Sequence, residues 1–294
     1  MSRSLIACAI DQRECAVVCM KKSGGSHYCL DGCKILPFGL DDLASAKGTR
    51  LLKKLDSQLN LWPDEELALC LGPKNYLPLP LSFPANTSME RCREYSRIEA
   101  QHFLNQPEKY DCDCVGYGIN QNELHEKKML LFYPAEPVRR VSEHFAASRR
   151  IIFSGTPQSP LLYLSNFTAE RQIILEIESN YLLLTASKEG RIEQFSCREV
   201  KNRKESEYFT IKTLVENPLC GETELQLTGS LADKAMTKLI KKETSMTLKP
   251  LSIPSSLSIS NPEKFPISSA VTVKAVSLAL MTLHEQKRFT HFSD

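Results

Sequence analysis

The chain has 294 residues, 42% hydrophobic and 24% charged, with 37 basic residues against 35 acidic ones and a net charge of +2. That length exceeds one typical domain of roughly 100–200 residues, so two or more packed units are expected. The composition is that of an ordinary globular protein, and the balanced charge excludes a global field favouring nucleic acid.

Residues 1–5 carry Arg3 and no apolar core of a secretory leader. With no leader expected, an odd count of eleven cysteines points to reduced cytosolic thiols. Cys29 with Cys33 and Cys112 with Cys114 lack the paired spacing or histidine partners of a strong metal site, so no metal is expected. Cys8, Cys15, Cys19 and Cys70 sit among Ala, Val and Leu, where thiols pack as small hydrophobes. The basic pairs Arg139-Arg140, Arg149-Arg150, Arg203-Lys204 and Lys241-Lys242 are short, mixed with acids, and read as solvated faces.

In chain order, residues 5–20, LIACAIDQRECAVVCM, read as strand, polar turn and strand, with Ser23, Gly24 and Gly25 forming the next turn. A third strand is expected over 28–37 and a helix over 40–59, striped by Leu43, Ala46, Leu51, Leu55 and Leu59. LALCL at 67–71 is a short buried strand ended by Gly72 and Pro73. YLPLPLSFP at 76–84 has three prolines, too many for a central strand, and reads as an extended edge or linker.

A different unit is expected from Thr87, whose spacing to Glu90 is that of a capping box. Its helix runs to about 104, with Met89, Cys92, Tyr95 and Ile98 on one face, and Pro107 follows it. Strands over 110–117 and 128–133, a helix over 136–147 and a strand over 151–153 complete a small α/β insert.

Residues 171–191, RQIILEIESNYLLLTASKEGR, repeat the grammar of the N-terminus. Ile173, Leu175 and Ile177 alternate with period two, 181–185 is nearly continuous and apolar, and Gly190 supplies a turn. Laying Asp11 on Glu176 superposes the two hairpins and suggests a duplicated architecture. Beyond a charged stretch at 198–207, a helix is expected over 210–216, then a strand over 225–227 running into Thr228, Gly229, Ser230 and a helix over 231–242. Strand, glycine turn and helix N-terminus form a potential phosphate cradle, since free amides and the helix dipole face a ligand there. Residues 250–266 read as a surface crossing. The closing stretch 267–283, interrupted by Lys274, is a helix buried against a sheet and too broken for a bilayer span of about 20 apolar residues.

This order of elements resembles the actin-like ATPase superfamily, in the form used by PilM of type IV pili and the cytoplasmic part of GspL of type II secretion. SRIEAQHFLNQPEKYDCD at 96–113 is similar to that family's insert helix and following strand. TELQLTGSLADKAMTKLI resembles its adenosine-side motif, and LEIESNYLLLTASKEG its second phosphate loop, with Glu176 in the aspartate position. The resemblance implies an α/β actin-like fold of duplicated ribonuclease-H-like halves with a small α/β insert in the first half. Expected boundaries are 1–86 for the first half, 87–150 for the insert, 151–170 for the return segment and 171–294 for the second half. Only 34 residues separate Gly190 from Leu225, so the second half's smaller subdomain should be reduced.

Departures from the family pattern bear on the chemistry. ATP-binding members present an Asp-x-Gly turn from each half. Here Asp11 remains but Arg13 replaces the glycine, Glu176 and Glu178 replace the second Asp and Gly, and Ser230 follows Gly229 where a glycine belongs. A carboxylate where phosphate should rest repels it, by about 1 kcal/mol in water at about 4 Å and about 4 at a surface-like dielectric. Arg13 is read as pairing with Glu178 across the cleft in preference to meeting an anion. The six histidines are scattered, with His125 in a polar loop, and no Gly-x-Ser-x-Gly elbow, Walker loop or His-Glu-x-x-His motif occurs.

The resemblance therefore implies a non-enzymatic scaffold without cofactor, cytoplasmic and peripheral to the inner membrane, touching the membrane only through partners. Its implied partner is the cytoplasmic tail of an inner-membrane pilus or secretion protein. A groove between the insert and the first half, walled by Leu77, Leu79 and Leu81, is the candidate docking site, although these leucines equally suit a role covering the core beneath. Two alternatives stay open: a working ATP-binding actin homologue that tolerates substituted loops, and an unrelated α/β binding or thiol–metal protein.

Overall fold

The computed structural model describes residues 3–23, 27–63, 65–118, 124–221, 224–261, 265 and 269–284. The expected turn glycines Gly24 and Gly25, and Ile267 at the expected start of the last helix, lie outside them. The chain divides into two compact units. Met1–Pro73, Glu136–Phe167 and Ser252–Asp294 form the first; Lys74–Ala135 and Thr168–Leu251 form the second.

The first unit is built on β1 (Arg3–Ile10) and β2 (Cys15–Lys22), antiparallel, with Ile10 opposite Cys15. Their apolar runs are covered on both faces: every residue from Leu5 to Ile10 and from Cys15 to Met20 is fully buried. β3 (Tyr28–Leu36) extends the sheet beside β2. The expected helix over 40–59 is two helices, α1 (Leu40–Leu43) and α2 (Gly48–Leu59). A Cβ on Gly48 would stand 2.0 Å from the Leu43 carbonyl oxygen, so the chain turns there only because that residue has no side chain. α2 buries Leu55 and Leu59 of the expected stripe, with Leu52 buried where Leu51 was expected. β4 (Glu66–Leu71) pairs parallel with β1.

β5 (Leu77–Pro84), α3 (Met89–Phe103), β6 (Tyr110–Gly116) and β7 (His125–Pro134) then form a three-stranded sheet, order β5-β7-β6, under one helix. β5 is an edge strand, as its prolines require: Pro78, Pro80 and Pro84 share one parity, so the donors facing β7 come from the intervening residues. α4 (Ala135–Ala146) and β8 (Ile151–Gly155) follow, and β8 pairs parallel with β4. The expected boundaries put α4 with the insert, left β5 outside it and ended the insert at 150, although the strand over 151–153 was counted among its elements. Strand pairing places β5 in the insert sheet and β8 in the sheet of β1. α5 (Gln158–Leu164), buried at every position but Ser159, was not foreseen in the return segment.

In the second unit β9 (Gln172–Ile177), β10 (Tyr181–Lys188) and β11 (Arg191–Glu199) are antiparallel neighbours. α6 (Arg203–Glu216) starts seven residues before the expected helix, capped by the Asn202 side chain on the Glu205 amide at 3.1 Å. β12 (Leu225–Thr228) runs parallel to β9, α7 (Lys234–Thr244) follows, and β13 (Leu248–Pro250) is parallel to β12. β14 (Ile259–Ser260) joins β3 of the first unit, and α8 (Ala270–His284) lies on β1, β2 and β4. Thirteen consecutive residues of α8, Val271 to Leu283, are buried.

The sheet orders are β14-β3-β2-β1-β4-β8 and β11-β10-β9-β12-β13. Removing the short β14 leaves one pattern twice: three antiparallel strands, then two parallel ones. Among the described residues, only β11, α6 and a short turn fill the interval between β10 and β12, a reduced second subdomain. Within the second unit Arg191 holds the insert sheet, donating to the carbonyls of Tyr117 (3.0 Å), Gly118 (2.7 Å) and Lys127 (2.9 Å).

Candidate functional site

The two duplicated hairpins close the same way. In the first, the Asp11 amide donates to the Glu14 carbonyl at 2.9 Å; in the second, the Glu178 amide donates to the Tyr181 carbonyl at 2.9 Å. Ile10 opposite Cys15 matches Ile177 opposite Leu182. Asp11 therefore corresponds to Glu178, not to Glu176, and the glycine positions fall at Arg13 and Asn180. The sequence superposition was two residues out of register because two glutamates flank Ile177. Glu176 is still inside β9, buried, accepting a hydrogen bond from the Tyr181 hydroxyl at 2.9 Å.

In the first unit Asp11 lies at the mouth of the hairpin. Its main-chain carbonyl accepts from the Leu40 amide at 2.9 Å, and that of Gln12 accepts from Asp41 at 3.1 Å, so α1 grips the turn. The carboxylate points inward. Lys274 of α8 reaches it with Nζ 2.9 Å from Oδ1 and 2.8 Å from Oδ2. Lys274 is 0% exposed and Asp11 8%. The lysine that interrupts the last apolar helix is thus the buried counter-ion of the one family aspartate that remains. Gly72 stands beside the same carboxylate, where an added Cβ would be 3.0 Å from Oδ1, and its carbonyl accepts from the Gln12 amide group. Arg13, next along the turn, is exposed.

In the second unit the expected strand and glycine turn are followed by a helix that starts late, and the protein's own carboxylates take the donors of both turn and helix. Gly229 has φ of 98°, and a Cβ there would lie 2.4 Å from the Ile177 carbonyl oxygen, so this turn requires glycine. Glu178, 4% exposed, accepts from the Ser230 amide at 3.1 Å and from the Ser230 hydroxyl. α7 begins at Lys234, three residues later than expected. Its first-turn donor at Met236 goes to the N-cap carboxylate of Asp233 at 2.9 Å. Arg203 pairs with both oxygens of Asp233, at 2.7 and 3.1 Å, and this guanidinium holds the carboxyl well below its usual range. The dipole of α7, which would favour a phosphate, already has a carboxylate on it. Asp233 and Arg203 were missed by the sequence reading, which placed the helix start at residue 231 and took Arg203 for a solvated face. The Asp233-to-Met236 N-cap spacing was the available signal.

The leucines offered as a docking wall separate. Leu79 and Leu81 pack, half-buried, with Phe83 against a core of Cys92, Ala100, Leu130 and Phe132 beneath α3, whereas Leu77 is 41% exposed. The helix cap lies one residue beyond the expected one: Ser88 accepts from the Arg91 amide at 3.3 Å, and the Thr87 hydroxyl donates to Pro84. α3 buries Cys92, Ser96 and Ala100, an i, i+4 ladder, and turns Tyr95 and Ile98 outward at 44% and 50% exposure.

Among the described residues no cluster of three His, Cys, Asp or Glu is placed to hold a metal, and no helix is long and apolar enough to cross a membrane. No protein-family model and no curated protein sequence matches the chain. Solved structures do. A chain of a PilM–PilN type IV pilus biogenesis complex is 13% identical with a TM-score of 0.71, covering 94% of this chain and 97% of that one. A Bacteroides thetaiotaomicron protein of actin-like ATPase fold and unknown function is 14% identical with a TM-score of 0.51, over 94% and 95%. The cytoplasmic domain of EpsL, an inner-membrane component of the type II secretion system of Vibrio cholerae, is 12% identical with a TM-score of 0.46, over 95% and 98%. The chain has the actin-like ATPase fold.

Proposed function

We propose that this protein is a non-enzymatic cytoplasmic scaffold that docks inner-membrane components of a type IV pilus or type II secretion-like assembly. The observation that carries the reading is the internal occupation of both nucleotide elements. Lys274 neutralises Asp11, and Glu178 takes the amide of Ser230. A nucleotide would have to displace buried, charge-assisted hydrogen bonds in each unit, which are stronger than neutral ones. The fold likeness to a PilM chain solved with PilN supports an assembly role of the same kind. With no membrane-spanning helix among the described residues, contact with the membrane runs through partners.

The insert is the docking element in this reading. Of the eight large hydrophobic residues exposed among those described, five lie in Lys74–Ala135: Leu77, Tyr95, Ile98, Phe103 and Leu124. Exposed apolar residues gathered on one element mark interaction surfaces. The partner is the cytoplasmic tail of an inner-membrane protein of the assembly.

Two measurements test this. Millimolar ATP with Mg²⁺ should leave the melting temperature unchanged, whereas a ligand at a hundredfold excess over its Kd would add about 2.7 kcal/mol. A clear rise in melting temperature would restore the ATP-binding alternative. Tagged protein co-expressed with the inner-membrane pilus or secretion proteins of its own genome should retain one of them. Tyr95→Glu with Ile98→Glu should release that partner at unchanged melting temperature, whereas Leu79→Asp should weaken the fold of the insert itself. Undiminished capture by the Tyr95/Ile98 variant would remove α3 from the docking surface.

A further inference from the structure

The insert holds a buried polar group that none of the preceding chemistry uses. Cys92 of α3 is fully buried, and Lys128 of β7, 8% exposed, places Nζ 3.4 Å from its sulfur. Cys114 of β6 packs against the same cluster, its thiol facing that sulfur. Glu126 lies 3.5 Å from the Lys128 ammonium, and the Phe83 ring is under it at 5.9 Å.

The pairing follows from two matching periods. Four residues of helix rise about 6 Å, and two residues of strand about 6.6 Å. The α3 ladder Cys92, Ser96 therefore meets the β6 ladder Cys114, Cys112 step for step. One helix turn and one strand are thus joined at two successive sulfur contacts, with a cation at the first.

We propose that Cys92 and Cys114 form a peroxide-sensitive dithiol, a modification site that closes into a disulfide and ties α3 to β6. Thiols react as anions, and the Lys128 ammonium is placed to bind a negative sulfur at Cys92. The oxidant is hydrogen peroxide, small enough to enter beside the half-exposed Cys114. The Cys92 sulfur attacks one peroxide oxygen, the O–O bond breaks, and the departing hydroxide takes the proton released from Cys92 to become water. Cys92 is then a sulfenic acid. The Cys114 sulfur attacks the Cys92 sulfur, the S–S bond forms, and the sulfenic oxygen leaves as a second water with the Cys114 proton. Two thiols are oxidised by two electrons, and one peroxide is reduced to two waters. Burial pushes the Cys114 thiol up to about 12, which suits the resolving role over the attacking one.

The full chain, reduced and then exposed to hydrogen peroxide, is alkylated, digested and read by mass spectrometry. The expected main product is one linked peptide joining Cys92 to Cys114, lighter by two hydrogens. Cys114→Ser should instead accumulate a dimedone-reactive Cys92. Lys128→Met should slow formation of the link tenfold or more, and Lys128→Arg should restore most of the rate. Oxidation confined to other cysteines while Cys92 stays reduced overturns the site. A link that forms in Lys128→Met within twofold of the normal rate overturns the part assigned to the lysine.

Discussion

Lys274→Met is the sharpest perturbation that the first unit offers. The methionine keeps the apolar stem that α8 packs and deletes only the charged end, so the loss isolates the ion pair. At 2.8 Å the attraction between ammonium and carboxylate is about 6 kcal/mol at an effective dielectric near 20. Desolvation of two charges offsets part of this, and the net worth of the intact pair against an apolar pair is small. The variant is different, because it strands Asp11, 8% exposed, with its counter-ion gone. Breaking such a pair from one side costs about 3–5 kcal/mol, a large part of a typical stability of roughly 5–15. At roughly 2–4 °C per kcal/mol, the melting temperature should fall by about 10 °C. Combining Lys274→Met with Asp11→Leu should recover most of that loss, since no buried charge is then left over. Differential scanning calorimetry of the parent, of Lys274→Met and Asp11→Leu singly, and of the double variant decides. A single variant within about 1 kcal/mol of the parent, or a double variant whose losses simply add, would refute the claim that Asp11 depends on Lys274.

Two further outcomes follow from the same geometry. Gly229→Ala should cost about 2 kcal/mol or more in a denaturant titration, because φ of 98° is costly for alanine and its Cβ would meet the Ile177 carbonyl oxygen at 2.4 Å; a neutral result would mean that the turn can relax. Stability should be complete below about pH 9 and decline as pH rises toward 12, since burial holds the Cys15 and Cys19 thiols neutral up to about 12 in the native state while the unfolded chain ionises from 9.0. Replacing both by alanine should flatten that slope between pH 8 and 10.5, and an unchanged slope would assign it to other groups.

The duplicated hairpins and the closing helix were legible because their signals are local. Period-two runs and continuous apolar stretches survive without knowledge of partners, and β1, β2, β9, β10 and α8 all lie where such patterns place them. Helix starts were less legible. The N-cap chosen near residue 87 was Thr87 rather than Ser88, and the expected face stepped by three residues from Cys92 through Tyr95 and Ile98, whereas the buried ladder steps by four through Ser96 and Ala100. The hairpin alignment failed for a related reason. Either of two glutamates two apart preserves strand parity, so period two alone cannot choose between Glu176 and Glu178. Only the closing hydrogen bond of the turn distinguishes them. Lys274 was visible as an interruption in an apolar run, but its partner, 263 residues away, was not.

Each internal substitute carries the charge that its site lost. At Asp11 the carboxylate needs a cation, and α8 supplies an ammonium from the chain itself. At Ser230 the turn amide needs an anion, and β9 ends in a glutamate that supplies one. A tethered group acts at an effective concentration set by its attachment, commonly millimolar even for flexible linkers and higher for a group fixed on a packed helix. A free nucleotide at similar concentration gains nothing by mass action. It would also have to bury itself where Lys274 and Glu178 already satisfy their neighbours, leaving those two charges to find new partners. The Arg13 and Asn180 side chains at the glycine positions of the two turns add bulk where phosphate oxygens would need bare backbone. The actin-like architecture in this protein is therefore held by its own charges, and its stability should be indifferent to nucleotide.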